Sequence, residues 1–500
     1  MDEVYTFYQE LQGQAFQTTL EDFWKAFQEW AKAPDDSVQQ NLVIQKANLF
    51  VSRSNAVYTG LSDYQSTINT QISDDIDRIN ELGNTIFKLN LEIQKVESGN
   101  VETAMTLRDE RDNALDELAS YVDISYKENS DGIVKVSVEG VEFVDEARCY
   151  EMGKNRDEIT GFVTPYWTHL SDIENGDYDN VFSFTTPISS DLNNDLGELK
   201  ALILARGDRK ATYKDIVGLT SDEYNRSTAD SIATGMSVML QAQAQLDQLV
   251  HGMITAINDT LCPNTTLGEL TGNTASLTGT DENGNTVTIT SGMKVLDTKN
   301  CSTGSDKQIP PQELFTRLGT ERYTKVSVQE TDANGNTVTN DYYVYNEESE
   351  TDTSKQYTLA SVSVNDKLVE QESLLPHLSQ NGKVNYDLAQ KVHLSVKVAA
   401  LWKGEYLTLD PDDTNKVTFI DYYNNMVGAF GTIGSVYEST AKSLSGTVTA
   451  VDNQRSQVMG VSSDEELTKM IKFQNAYNAS SRFINVVNEM IESMITQLGS

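Results

Sequence analysis

A row of branched aliphatic residues, Ile68, Ile72, Ile76, Ile79, Leu82, Ile86, Leu89, Ile93 and Val96, recurs early in the chain in steps of three and four. The mean step is about 3.5 residues, the spacing that keeps one apolar seam facing a partner along a long helix. From Leu61 to Val96 it predicts a rod roughly 50 Å long at about 1.5 Å per residue. A rod of that length cannot bury its own seam, so other parts of the chain, or another chain, must cover it.

Helical spacing recurs on either side. "TTLEDFWKAFQEWAKAPDD" places Leu20, Phe23, Trp24, Phe27 and Trp30 on one face and ends at Pro34. After Gly99, "TLRDERDNALDELASYVDISY" carries Leu107, Leu115, Leu118 and Val122 on one face beside a dense group of Arg108, Asp109, Arg111 and Asp112. Two readings of that group are open: ion pairs three or four residues apart on a solvated face, each adding a few tenths of a kcal/mol, or a contact with a neighbouring chain. "LGELKALILARGD" and the segment Thr228 to Leu261, with Ile232, Met236, Met239, Leu246, Val250, Met253 and Ile257, predict further helices.

Between these helices the period changes to two. "SDGIVKVSVEGVEFV" alternates after an Asp131-Gly132 turn and opens a β-rich insert expected over 129–195. Beyond Pro263 a second, mostly β insert is expected over 263–417. It contains a short echo, "TDENGNTVT" and "TDANGNTVT", whose Asn-Gly steps predict hairpins, and "RYTKVSV", "DYYVYN", "YTLASVSV" and "KVHLSVKVAALW" are expected as strands. The echo is not an EF-hand: the twelfth position from Asp281 or Asp332 is Gly292 or Tyr343, not a bidentate Glu.

The tail is helical again. Ile420, Tyr423, Val427, Phe430, Gly434, Tyr437, Ala441, Leu444, Val448 and Val451 keep alternate steps of three and four, and only Gly434 is not apolar. After a capping box at Ser463 and Glu466, a second seam runs through Met470, Phe473, Tyr477, Ser480, Ile484, Val487, Ile491, Met494 and Leu498. Asn475, Asn478, Asn485 and Asn488 lie off that seam. Asparagine is a poor helix former, so this last helix is expected to order only on packing against a partner.

With 38 Lys+Arg against 75 Asp+Glu, the net charge of −37 argues against binding nucleic acid or an anionic membrane. No apolar run is long enough to span a bilayer, and "MDEVYTFYQE" has no export-signal pattern. His169, His251, His377 and His393 are scattered, and no nucleophile-elbow, P-loop or dinucleotide motif occurs, so neither an enzyme nor a metal or cofactor site is indicated. Cys149, Cys262 and Cys301 form no CxxC pair. Arg206-Gly207-Asp208 closes a helix, where Gly is a common stop, and is read as that rather than as an adhesion motif.

"INELGNTIFKLNLEIQKVESGN", "LRDERDNALDELASYVDISY", "DGIVKVSVEGVEFV", "LGELKALILARGD" and "GVSSDEELTKMIKFQNAYNASSRFINVVNEMIESMITQLG" resemble the hook-associated protein 1 family of flagellar axial proteins. The likeness spans about 55–145, 195–262 and 415–500, with 263–414 matching only loosely. The family's Asn-rich "ANTxGYSRQ" opening is not seen, so the chain is expected to lack the amino-terminal core segment. The resemblance implies a non-enzymatic subunit at the hook–filament junction, exported to the extracellular flagellum without a cleaved signal. Its implied partners are the hook protein, other hook-associated proteins, an export chaperone on the carboxy-terminal helix, and copies of itself in a ring.

The expected fold is α+β and multidomain: an elongated, discontinuous, coiled-coil-like helical bundle (1–128, 196–262, 418–458), two outward β-rich inserts (129–195, 263–417), and a polymerisation helix (459–500). Its polymerisation and chaperone interface is expected at Met470, Phe473, Asn475, Tyr477, Asn478, Ile484, Asn485, Val487, Ile491, Met494 and Leu498. The rival reading is a secreted adhesin or glycan-binding module displayed on a helical stalk.

Overall fold

The structure, a computed structural model, describes residues 16–98, 103–182, 197–216, 237–272, 274–331, 335–397, 417–459, 467–478 and 481. They fall into two compact units, Met1–Phe430 and Gly431–Ser500.

The first unit opens with helix α1 (Phe16–Trp30) and α2 (Ser37–Glu97). Asp36 caps α2 by accepting from the Val38 N–H at 2.8 Å, and the Pro34 carbonyl accepts from Trp30 Nε1 and Gln40 Nε2. The turn between them is thereby pinned, and Phe23 stacks on Phe50 with ring centres 5.4 Å apart. The expected rod is the second part of a single helix of 61 residues, roughly 90 Å long. Gly60, worth about 1 kcal/mol against a helix interior, obscures the earlier turns in the sequence; burial of Val57 and Leu61 outweighs it.

Except for Val96 at its end, which is 41% exposed, the rod's seam is covered inside the chain. Ile68, Ile72, Ile76, Ile79, Leu82 and Ile86 share one core with Leu115 and Leu118 of α3 (Met105–Tyr121), Leu199 and Ile203 of α4 (Glu198–Arg206), and a layer of strands. The strands are β1 (Ile124–Glu128), β2 (Val134–Val138) and β3 (Val141–Val144), antiparallel in that order, followed by the hairpin β4 (Met152–Arg156) and β5 (Val163–Trp167). The first insert therefore does not project from the helices; it is their lid. Gly83 is the fitting point, since a Cβ there would fall 2.5 Å from the Phe143 ring.

Helix α5 (Val238–Leu261) is the mast of the first unit and is buried nearly all round. Its buried polar groups meet backbone that would otherwise be orphaned. Gln243 accepts from the Ala211 N–H, Asp247 from the Tyr213 and Leu359 N–H groups, and Asn258 from those of Leu314 and Phe315. Beyond it come β6 (Asn264–Thr266), the short α6 (Leu267–Thr271), β7 (Leu277–Asp281), β8 (Thr286–Ile289), β9 (Lys294–Leu296), β10 (Phe315–Arg317), β11 (Tyr323–Thr331), β12 (Thr337–Tyr345), β13 (Val362–Val364), α7 (Asp366–Glu370), α8 (Tyr386–Lys397) and α9 (Phe419–Met459).

A six-stranded sheet, ordered β6-β9-β12-β11-β7-β8, has its own small core around Val326, Val328 and Val344. Both Asn-Gly echoes are hairpin connections, with Gly284 and Gly335 in the left-handed region at φ +85° and +83°. The rest of this insert is not separate from the helices. Phe315, Tyr357, Leu359, Leu368, Leu375 and Leu388 join the core of α1, α2 and α5. Buried Arg322 ties the two parts, donating to Asp259 and Tyr357 and lying 3.6 Å from Glu313.

One expected strand is a helix. In "KVHLSVKVAALW" the alternation of Val392, Leu394 and Val396 imitates period two. Asn385, however, caps α8 by accepting from the Leu388 N–H at 3.0 Å, and Leu388, Ala389 and Val392 are buried together at helical spacing. In "YTLASVSV" only Val362–Val364 is strand.

Candidate assembly surface

Helix α9 starts in the first unit with Phe419, Tyr422, Tyr423, Met426 and Phe430 in the main core. In the second unit its seam residues are exposed: Tyr437 is 43% exposed, Leu444 60% and Val448 67%. The helical stretch 467–478 is similar, with Met470 at 54%, Phe473 at 73% and Tyr477 at 75%. Met470, Phe473 and Tyr477 follow one face by steps of three and four. Asn475 and Asn478 are exposed beside them. Ile484, Asn485, Val487, Ile491, Met494 and Leu498, with Ser463 and Glu466, lie outside the described residues. Burying a large apolar side chain contributes about 1.5–3 kcal/mol, so leaving Met470, Phe473 and Tyr477 in water is costly.

The arginine group has a different setting. Arg108 forks onto Glu97 at 2.8 and 2.7 Å and reaches Glu128 at 2.7 Å. Arg108 and the Ala104 N–H bring the Glu97 carboxyl down to about 2. Arg111 is 2% exposed and donates to the Gly132 carbonyl at 2.7 Å and to Asn90 Oδ1 at 3.1 Å, with Glu128 at 3.3 Å; burial depresses its guanidinium. Asn90 in turn accepts from the Val134 N–H and donates to the Val134 carbonyl. The two arginines thus bolt α2, α3 and the β1–β2 turn together, while Asp109 and Asp112 stay on the exposed side of α3. Asn90, Glu97 and Glu128 gave no signal in the sequence, because each is an ordinary polar residue until the hairpin brings Gly132 between them.

Arg206 of the Arg-Gly-Asp triplet is also 2% exposed, donating to Asn69 Oδ1 and the Val163 carbonyl over the Phe162 ring. Gly207 ends α4 at φ +77°. The triplet is a helix stop with an internal anchor, and its arginine faces no partner.

Polar residues also gather where α5 meets the second insert, around a half-open cleft of about 980 Å³. Tyr213 stacks on His251 at 3.7 Å, and Glu348 takes hydrogen bonds from Tyr213 and the Tyr357 N–H and pairs with His251 at 2.9 Å. Despite burial, these partners hold the Glu348 carboxyl down at about 2. Lys214, Lys294 and Arg209 on the rim are matched by Glu350, Glu347 and Asp215. His377 bonds the Leu375 carbonyl, and His169 packs beside Tyr150 and Trp167. Among the described residues no group of three or more His, Cys, Asp or Glu could hold a metal ion, and no helix is long and apolar enough to cross a membrane.

Comparison with known proteins places this arrangement. The sequence profile of the flagellar hook-associated protein FlgK helical domain matches residues 1–275, and that of the flagellar basal body rod FlgEFG protein C-terminal region matches 453–498. Flagellar hook-associated protein 1 of Bacillus subtilis is 22% identical over 483 residues, 96% of this chain and 76% of that protein. The solved flagellar hook junction protein FlgK from Burkholderia pseudomallei aligns at 15% identity with a TM-score of 0.41, covering 76% of this chain; the chain spans 64% of the length of that structure.

Proposed function

Because this chain belongs to the flagellar hook-associated protein family defined by the FlgK helical domain, we propose that it is a structural subunit at the hook–filament junction of the bacterial flagellum, joined to neighbouring axial subunits by its carboxy-terminal helices. The observation that carries this reading is the exposed row Met470, Phe473 and Tyr477, inside the segment that matches the rod-type carboxy-terminal family. In the reading, each subunit presents an apolar stripe that is costly in water and favourable once neighbours cover it. Asn475 and Asn478 flank the stripe with amide donors and acceptors, which fix the register of the contact. The first unit has its own cores and serves as the body that the helices hold in place.

The finer partners follow from the same surface. The hook protein, other hook-associated proteins and copies of this chain in a ring would each bury part of the row. An export chaperone would cover it before assembly, and the chain would leave the cell without a cleaved signal.

The test is the double substitution Phe473→Ser and Tyr477→Ser in the full chain. Because both side chains are largely in water, thermal unfolding of the first unit is expected to be unchanged, while the subunit disappears from isolated flagella. Incorporation at the parental level would overturn the reading.

A further inference from the structure

The rod, α3 and α4 meet at an acid-rich joint. Asp75 of α2 is 8% exposed, and its Oδ2 has no hydrogen-bond partner among the described residues. Around it stand Glu198 at the start of α4, Asp74 of the rod itself, and Tyr121 of α3. Two further charged groups, Arg78 and Glu117, are already spent on each other at 2.7 and 2.9 Å, and Arg78 also holds Glu81. Gln71 donates to Glu198 at 3.0 Å, which steadies that carboxylate beside Asp75 and brings no positive charge. The joint is tight as well as acidic: a Cβ on Gly197 would fall 1.9 Å from the Tyr121 carbonyl oxygen.

The other end of α4 is bolted down. Arg206 donates to Asn69 and Val163, and Gln65 donates to the Arg206 and Arg209 carbonyls at 2.8 Å. A short helix fixed at its carboxy end and pressed against like charges at its amino end has one direction in which to yield.

We propose that this joint is a proton-operated latch: with Asp75 neutral the amino end of α4 seats on α2 and α3, and with Asp75 ionised that end lifts while Arg206 and Gln65 keep the other end in place. Burial, then Glu198 and Asp74, push the Asp75 carboxyl up to about 6. For an acid raised in the folded state, the folded chain holds the proton more tightly. The latch is therefore firm in mild acid and weakens as pH rises through the unfolded value toward 6 and beyond. About two pH units of displacement correspond to roughly 100-fold in the opening equilibrium.

The experiment is amide hydrogen exchange across Glu198–Arg206 in the full chain between pH 5 and 7.5, corrected for intrinsic rates, for the parent and for Asp75→Asn. Part of that change is already complete at pH 5, so the parent is expected to open about 10-fold more at pH 7.5 than at pH 5, and the Asn variant is expected to stay protected at both. Equal pH dependence in the two chains would overturn the latch. A direct carboxyl titration of the parent gives the second readout. A midpoint near 6 that falls on Glu198→Gln supports the joint, and a midpoint below about 4.5 removes it.

Discussion

Asn90→Leu is the sharpest probe of how the rod is closed. The side chains are similar in size, so packing along α2 is largely kept, but three hydrogen bonds go: to the Val134 carbonyl at 2.7 Å, from the Val134 N–H at 3.0 Å, and from Arg111 at 3.1 Å. All three partners are buried; Val134 is 2% exposed and so is Arg111. A buried group left without its partner costs about 1–3 kcal/mol. Arg111 keeps Gly132 and Glu128, so most of the loss falls on Val134, and the sum expected is about 3–5 kcal/mol.

The assay is urea unfolding of the full chain together with amide exchange at Val136 and Val138, which report the β1–β2 hairpin locally. Arg111→Leu alone should cost less, because Asn90 then still satisfies Val134. The double variant should fall short of the sum of the singles by about 1 kcal/mol or more, as expected of residues in one network. The reasoning is refuted by an Asn90→Leu chain within about 0.5 kcal/mol of the parent, or by additive singles. It is refuted equally if Arg111→Leu leaves stability intact and removes only assembly, since the arginines would then face a neighbour.

Three further outcomes are expected. Glu348 is held down at about 2, so its share of stability is present above the ordinary carboxylate value and is lost as pH falls from about 4.5 toward 2; Glu348→Gln should remove up to about 3 kcal/mol of acid sensitivity in that window, read from urea midpoints at stepped pH. Gly197→Ala should destabilise the first unit by about 3 kcal/mol, the upper end for overpacking, because the new Cβ meets Tyr121 backbone and not a movable side chain; an unshifted thermal transition would contradict it. Burial pushes the Cys149 thiol up to about 12 and Cys301 to about 11, and raises Cys262 too. Alkylation of the folded chain at pH 8 should thus lag that of the urea-unfolded chain by orders of magnitude, and a fast-reacting thiol in the native protein would refute the burial.

What could be read from the sequence was whatever depends on one residue at a time. Ile72, Ile76, Ile79 and Ile86 announce a buried seam because each is costly in water whatever its neighbour, and all four are fully buried. Val134, Val136 and Val138 likewise announce the inner face of a strand. What these two rows do to each other was not legible, since neither period says that the strand layer lies on the rod. The polar nodes were less legible still. Arg108 and Arg111 stood out as a group, yet their partners come from α2, β1 and a turn, and only the completed hairpin brings them together. Asp75 is one acid among 75 in the sequence; its setting is made by Glu198, more than a hundred residues on.

The same limit decides how the tail should be understood. A single heptad rule picked out the positions from Ile420 to Val451, and the structure divides them: Tyr423 and Phe430 are buried among α1, α2 and α5, whereas Tyr437, Leu444, Val448 and Val451 stand in water. Periodicity registers that a stripe must be covered and is silent on who covers it. Up to Phe430 the stripe is core with α1, α2 and α5; past it, Tyr437, Leu444, Val448 and Val451 are exposed. Its apolar positions are as regular there as in the buried part, although a solvated helix has no need of them. An exposed seam that keeps core-like regularity is what the proposed assembly role asks of the second unit, since a helix meant to be covered by a neighbouring subunit would carry it.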